Sequence, residues 1–444
     1  MKEIELALET LADVFEGGMT FTESLKKRFQ SNLEIRPYRV NVAALVGCEL
    51  RHHLLFRFLQ KEQSFPEGDR RLVSLALANH YFNKRISDEA FDAYLSEHAS
   101  MEACEFVRSV FSTHTAESLI PEDISRSSNL FLSLRYNFPE WTLKIFQHFG
   151  FGPTYRTVKS LSRPAKRYYA LANGATVAGT CTNSEFVPAP YFPEEMVEYV
   201  GKTSIVKNPV YREGNLYSVK PFGHHLLRTF VVEHPSQILI YDGTTSAHMA
   251  RDLIEIYGSS IGINIALPSV NAAPEITRAI RQEKLVNVNL FSAPAGEGMG
   301  SAVSVPQELV LCCPESTEFD NIPYSPDYLI RFDKSRMDAI FDNQKRALES
   351  CSKFVEVGGL LIYCVFTISK KEGSSLMAAF LSEHREFERV ESKQHFPSED
   401  ASLHNACFYC VLRKKESELT ATPVTPMVGA LAREGNSVAS AEGK

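Results

Sequence analysis

Gly358 to Leu381 reads GGLLIYCVFTISKKEGSSLMAAFL, and upstream of it Gln307 to Pro314 reads QELVLCCP. Each is an apolar run of strand length that ends in small or polar residues, and the first runs on into an amphipathic helix. Buried parallel strands have this texture, and an α/β sheet presents its chemistry at the carboxyl ends of such strands. Working outward, Ile238 to Tyr241 predicts a first strand, Ile261 to Ala266 a second, Val286, Val288 and Leu290 a third, Glu308 to Cys312 a fourth and Leu360 to Thr367 a fifth. Helices are predicted between them: one capped by Thr244 or Thr245 and ended by Gly258, one over Ser269 to Gln282, one after Asp333 with Met337, Ile340, Gln344, Leu348 and Cys351 inward, and one from Ser374 to His384. A late strand, Ala406 to Arg413, completes a doubly wound sheet over residues 233–414.

Before the sheet the character differs. Residues 1–132 carry helical periodicity, with Leu6, Leu8, Leu11, Val14 and Phe15 on one face, Thr22 as the cap of a second helix and Val40 to Leu59 as a third. That predicts a helical bundle. Residues 133–232 mix short elements with Pro, Gly and aromatics, which predicts a small α+β linker domain with a helix after Pro139. Residues 415–444 are polar and poor in aromatics, the composition of a disordered tail.

Composition bounds the function. A chain of 444 residues, 44% hydrophobic and 23% charged, has ample material for two or three folded units. A net charge of −7 gives no global attraction to nucleic acid, so an RNA contact has to come from a local patch. Thr154 to Ala170 is such a patch. It holds Arg156, Lys159, Arg163, Lys166 and Arg167 with no acidic residue, beside Tyr155, Tyr168 and Tyr169, and cations next to aromatics suit phosphate neutralisation and base stacking. The same tyrosines suit a folded core equally well. Nine cysteines, odd in number and mostly inside apolar runs, read as packed reduced thiols, which points to the cytoplasm. The acidic amphipathic N-terminus has no signal-peptide pattern, and no apolar run reaches membrane-spanning length. Neither His52–His53 on its helix nor Cys407-x-x-Cys410 on its strand can present both members to one metal, and no metal is expected. His224 and His225 lack a serine or cysteine context for a triad.

The local sequences carry a resemblance. SLRYNFPEWTLKIFQHFG followed by SRPAKRYYALANG, then FVEVGGLLIYCVFTISKKEGSSLMAAFL, Gln344 in the preceding helix and the closing ACFYCVLR strand are similar to the RsmB/Sun family of ribosomal RNA cytosine-5 methyltransferases. The similarity spans most of residues 1–414 and rests on framework positions. It implies a NusB-like helical domain and a Rossmann-like methyltransferase domain that binds S-adenosylmethionine. It also implies a thiolate on the fifth strand that attacks C6 of the cytosine, and a second cysteine, after a proline beyond strand four, that helps release the product. Thiolates suit this because they are strong nucleophiles and can later leave.

Laid on this chain without gaps, the motifs put Phe366 at the nucleophile's position, Glu315 at the second cysteine's and Cys312 at the aspartate's that steadies the base. All three chemical groups are missing. Cys364 and Cys313 each lie two residues away, roughly 6.5 Å along a strand, and a misplacement of even ~1 Å costs about a hundredfold. The implied cofactor positions are Tyr241, Asp242, Gly243, Thr244, Ala266 and Pro314, yet the turn keeps one glycine and strand two ends without a ribose acid. Asp242 reads as a turn residue. The sequence therefore predicts a degenerate member that binds RNA or a ribosome through Arg156 to Arg167, with S-adenosylmethionine bound only if the pocket is open. Two other readings stand beside it. One is an active S-adenosylmethionine-dependent RNA methyltransferase with a non-cysteine site; the other is a module that meets a protein partner through its helical domain.

Overall fold

The computed structural model describes residues 2–416 apart from 31, 173, 231–234, 259, 273, 400 and 401. Most of the tail read from 415 onward lies outside the described residues. The bundle is built from helices Lys2–Phe15, Phe21–Gln30, Arg39–Leu59, Glu67–Ala78, Asp88–His98 and Met101–Thr113. Their apolar faces meet in one core centred on Leu11, Val46, Leu50, Phe56, Leu75 and Phe91. The cap of the second helix is Thr20 rather than Thr22. The Thr20 hydroxyl accepts from the Glu23 amide at 3.1 Å while Glu23 Oε2 accepts from the Thr20 amide at 2.8 Å, so the reciprocal box starts the helix two residues before the expected cap.

Three linker helices follow, Asn129–Tyr136, Glu140–Gln147 and Phe151–Leu161. Phe138, Leu143, Phe146, Val158 and Leu161 pack against Phe319, Ile322, Leu329, Ile368 and Ala406, so these helices share a core with the C-terminal sheet's loops. Four short antiparallel strands come next: β1 (Tyr168–Leu171), β2 (Phe186–Pro188), β3 (Met196–Tyr199) and β4 (Leu216–Ser218), in the order β2-β3-β1-β4.

The C-terminal sheet has seven strands: β5 (Gln237–Asp242), β6 (Gly262–Leu267), β7 (Val288–Ser292), β8 (Gln307–Cys313), β9 (Val355–Val365), β10 (Phe387–His395) and β11 (Cys407–Lys414). Their order is β10-β11-β9-β8-β5-β6-β7, with β11 antiparallel to both neighbours and the pairs from β9 to β7 parallel. The chain leaves β5 in one direction for β6 and β7, then returns on the other side with β8 and β9. The crevice between the carboxyl ends of β5 and β8 is therefore the topological switch point, where open α/β sheets hold their ligands. Strand β10 is an addition to the predicted set. It is an edge strand whose residues Glu388 to Lys393 are all exposed, so it lacks the apolar signal by which buried strands are read. Cys407 packs with Cys364 and Phe366 on one face and Cys410 with Tyr363 and Val365 on the other, as strand alternation requires.

Candidate functional site

At the end of β5 the chain turns through Asp242 and Gly243. The buried Asp242 carboxylate accepts from the Thr244 amide at 3.0 Å, the Thr244 hydroxyl at 2.6 Å and the Ala250 amide at 3.0 Å. The helix His248–Tyr257 is entered through Ala247 at φ +46°, and neither Thr244 nor Thr245 caps it. Asp242 takes an orphan helical amide instead, from eight residues upstream. Burial pushes its carboxyl up to about 6, against the pull of these hydrogen bonds.

The turn is tied to the loop after β8. The Gly243 amide donates to the Cys313 carbonyl at 2.7 Å, and the Thr245 amide and hydroxyl donate to Glu318 at 3.1 and 2.8 Å. A Cβ placed on Gly243 would stand 2.6 Å from the Glu315 amide nitrogen, with Pro314 at 3.2 Å. The predicted cofactor positions Tyr241 and Ala266 are core residues, packed with Val310 and Cys312. Pro314 is buried in the loop that meets Gly243.

The three positions singled out by the resemblance lie in three settings. Phe366, just past β9, is fully buried among Met249, Cys313, Cys364 and Cys407. Glu315 reaches outward to Arg336 at 2.9 Å. Cys312 faces the opposite layer, with Tyr241 and Cys351. The neighbouring thiols are packed: Cys364 Sγ lies 3.8 Å from Cys407 Sγ, and hydrogen bonding to Cys364 together with burial holds Cys313 and Cys407 in the neutral form, while the hydrogen bonds that those two thiols donate pull Cys364 down to about 5 in a site closed to solvent.

Sequence reasoning missed the polar groups that now occupy this edge. Lys220 Nζ lies 4.5 Å from the Phe366 ring centroid and donates to Asp320 Oδ2 at 2.7 Å. Asn405 donates to the same oxygen at 3.2 Å. Glu372, fully buried, accepts from the Thr317 amide at 2.8 Å, Thr317 and Thr367 hydroxyls at 2.6 and 3.1 Å, and Gln344 at 3.0 Å. Gln344 also donates to the Glu315 carbonyl at 3.0 Å, so the framework position read from the sequence braces the loop after β8.

In the basic segment Arg156 and Lys159 lie on the helix Phe151–Leu161, and Arg163, Lys166 and Arg167 lie in the irregular connection from it to β1. Arg156, Arg163 and Arg167 are exposed, Lys159 lies 6.0 Å over Tyr155, and Lys166 pairs with Glu198 at 3.1 Å. Tyr168 and Tyr169 are buried in the two small cores of the linker sheet, which takes them out of the proposed stacking role. His53 is held by Glu49 at 2.7 Å, while His52 stacks on Phe82. His224 is buried and bonded to Asp252 at 2.9 Å, which also accepts from Tyr217 at 2.7 Å, tying the linker sheet to the helix after β5. Among the described residues no group of three or more His, Cys, Asp or Glu is arranged to hold a metal, and no helix is long and apolar enough to cross a membrane.

This architecture has known counterparts. The crystal structure of PH0851 superposes with a TM-score of 0.69 over 93% of this chain and 98% of that one, at 14% identity. NSun6 from Pyrococcus horikoshii, in a crystal structure with SFG, gives 0.53 over 63% of this chain and 99% of its own, at 13% identity. A methyltransferase homolog protein from Pyrococcus horikoshii gives 0.53 over 64% and 98%, at 13% identity. The chain shares their fold. The likeness to PH0851 extends over most of the helical bundle as well as the sheet, whereas the other two cover about two thirds of the chain. No family model matches the chain, and no curated protein matches it in sequence.

Proposed function

We propose that this protein is a member of the RsmB/Sun family that keeps the methyltransferase fold without the cysteine chemistry and works as an RNA- or ribosome-associated binding protein. The observation that carries the reading is Phe366. Its ring fills the nucleophile's position, buried beneath the Lys220–Asp320 pair, and Cys313, Cys364 and Cys407 beside it are fully buried and packed on one another. Attack on a base needs a thiolate in line with the carbon.

The residues at the switch point do not fit S-adenosylmethionine. Amides that would approach a ligand at this turn bond Cys313 and Glu318, and the space over Gly243 is filled by the backbone of Glu315. The Asp242 carboxylate is taken up by three internal donors. Strand β6 ends in buried Ala266 and Leu267, with no carboxylate to hold ribose hydroxyls. In favour of an RNA contact are the exposed Arg156, Arg163 and Arg167 on a segment free of acidic residues.

Titration calorimetry with S-adenosylmethionine, methyl transfer from labelled cofactor into ribosomal RNA, and filter binding of the same RNA test the reading together. Salt-dependent RNA binding that weakens in Arg156→Ala/Lys159→Ala, with neither cofactor heat nor methyl incorporation, is the expected result. Micromolar cofactor binding accompanied by methyl transfer overturns it.

A further inference from the structure

A cavity of about 240 Å3 lies between the linker sheet and the carboxyl edge of the seven-stranded sheet. Six of its lining residues define its chemistry: Arg167, Tyr169, Lys220, His248, Tyr324 and Asn405. Lys220 and Asn405 come from segments far apart in sequence but donate to one oxygen, Asp320 Oδ2, at 2.7 and 3.2 Å. Ammonium and carboxamide therefore stand side by side. Both residues are more than nine-tenths buried, and Asn405 Oδ1 has no hydrogen-bond partner among the described residues. A buried carbonyl oxygen without a donor calls for an N–H from a bound group.

The remaining surfaces narrow the class of ligand. The half-exposed Tyr324 gives the cavity an aromatic wall. Burial lowers the His248 imidazole to about 4, so that lining group is neutral at physiological pH. The exposed Arg167 makes no ion pair among the described residues, whereas its neighbour Lys166 is neutralised by Glu198. Asn405 and Lys220 suit a planar edge that carries an N–H beside a carbonyl, Tyr324 suits its π face, and Arg167 suits a phosphate. The volume falls below the roughly 300–1,000 Å3 of drug-sized sites, which leaves room for one such unit.

We propose that this cavity binds a nucleoside monophosphate, with the base inward against Asn405 and Lys220 and the phosphate on Arg167. The inference requires no methyl donor and stands whether or not the switch-point crevice admits one. An RNA chain carries the same unit, but the small volume and the presence of one cation without an ion pair among the described lining residues favour the mononucleotide.

Calorimetry on the full chain with AMP, CMP, GMP and UMP, their nucleosides, inorganic phosphate and a single-stranded RNA oligonucleotide separates the sources. Saturable binding of at least one monophosphate is expected, with Arg167→Ala weakening it about tenfold or more while leaving the nucleoside's affinity unchanged. Tyr324→Ala should weaken nucleotide and nucleoside alike, and thermal scans of both surface variants check that they are folded. Absence of heat with every monophosphate overturns the proposal. So does binding of inorganic phosphate as tight as the nucleotide's, binding of the oligonucleotide alone, or an Arg167→Ala variant that binds as well as the parent.

Discussion

Replacing Gly243 with alanine tests whether the crevice at the switch point is closed. The added methyl would stand 2.6 Å from the Glu315 nitrogen and 3.2 and 3.3 Å from Pro314 backbone atoms. All three contacts are backbone, so no side chain can rotate away and the two loops have to part by about 1 Å to reach ordinary contact distance. Overpacking of this kind costs roughly 1–3 kcal/mol. Parting the loops also stretches the Gly243 N–H to Cys313 carbonyl bond, a buried bond of 2.7 Å, which adds roughly 0.5–1.5 kcal/mol. Together they give about 2–4 kcal/mol, or a midpoint lowered by roughly 4–16 °C in a domain of this size. Gly243 does not have a positive φ, so the cost is contact and not backbone strain. Trp141, the chain's single tryptophan, packs at 6.2 Å from Phe319 and 5.5 Å from Phe332 and reports on this region in a urea titration followed by fluorescence. Gly300→Ala, which meets nothing within 4 Å, is the control and should change stability by no more than about 0.5 kcal/mol. A Gly243→Ala protein as stable as that control would mean that the loops stand apart in solution. The argument against a cofactor in the crevice would then fall.

Phe366→Cys should not restore methyl transfer, because the cofactor turn and the second cysteine remain absent; it should cost about 3 kcal/mol through the cavity it leaves, read by urea unfolding beside a labelled-methyl assay. Lys220→Met should cost roughly 3–5 kcal/mol, since it strands the fully buried Asp320 carboxylate, and Lys220→Met/Asp320→Leu should recover most of that loss in the same titration. Two of the buried groups make opposed contributions to the pH dependence. Asp242, raised from 3.8 to about 6, binds more protons folded than unfolded between those values, so its contribution to stability grows as pH falls through 6. His248, lowered from 6.5 to about 4, binds fewer protons folded than unfolded, so stability is lost as pH falls through 6.5 toward 4. Unfolding free energies at pH 7, 6 and 5 should therefore fall more steeply with acid in Asp242→Asn than in the parent, and less steeply in His248→Gln; equal slopes in all three proteins would contradict the burial of both groups.

The central parallel strands were legible because they are buried on both faces and read as continuous apolar runs, as LVLCC in β8 and LLIYCV in β9 do, whereas the part-buried edge strand β7 showed only alternation. Strand β10 escaped for the complementary reason: solvent reaches both of its faces, and no periodicity marks it. Capping shows the same boundary between local and distant information. A Thr-x-x-Glu box four residues long was displaced by only two positions, whereas the donor to Asp242 comes from eight residues on and was assigned to the nearer threonines. At the site, Phe366, Glu315 and Cys312 could be singled out one by one from a linear motif. What took their place could not, since Lys220 and Asp320 are 100 residues apart and Asp320 and Asn405 are 85 apart. Only the closure of the linker sheet onto the edge of the larger sheet brings them together.

That closure raises a question of cost. A buried ion pair is a poor stabiliser, and apolar residues of similar volume often replace it with no loss or a gain. The fully buried Phe366 and Cys312 show that this edge does accept apolar side chains. Lys220, Asp320 and Asn405 nevertheless remain polar and buried, with Asn405 Oδ1 and Asp320 Oδ1 unsatisfied among the described residues. One account is registration, because the three residues join the end of β4, the loop after β8 and the lead into β11, and an ion pair fixes such a junction against sliding. The other is the ligand, for which the open acceptor and the lysine are the recognition surface. Lys220→Met/Asp320→Leu separates them. Under registration alone the double variant regains its stability but unfolds over a broadened transition, and any nucleotide affinity is unchanged. Under the ligand account it regains stability with a sharp transition and loses the monophosphate.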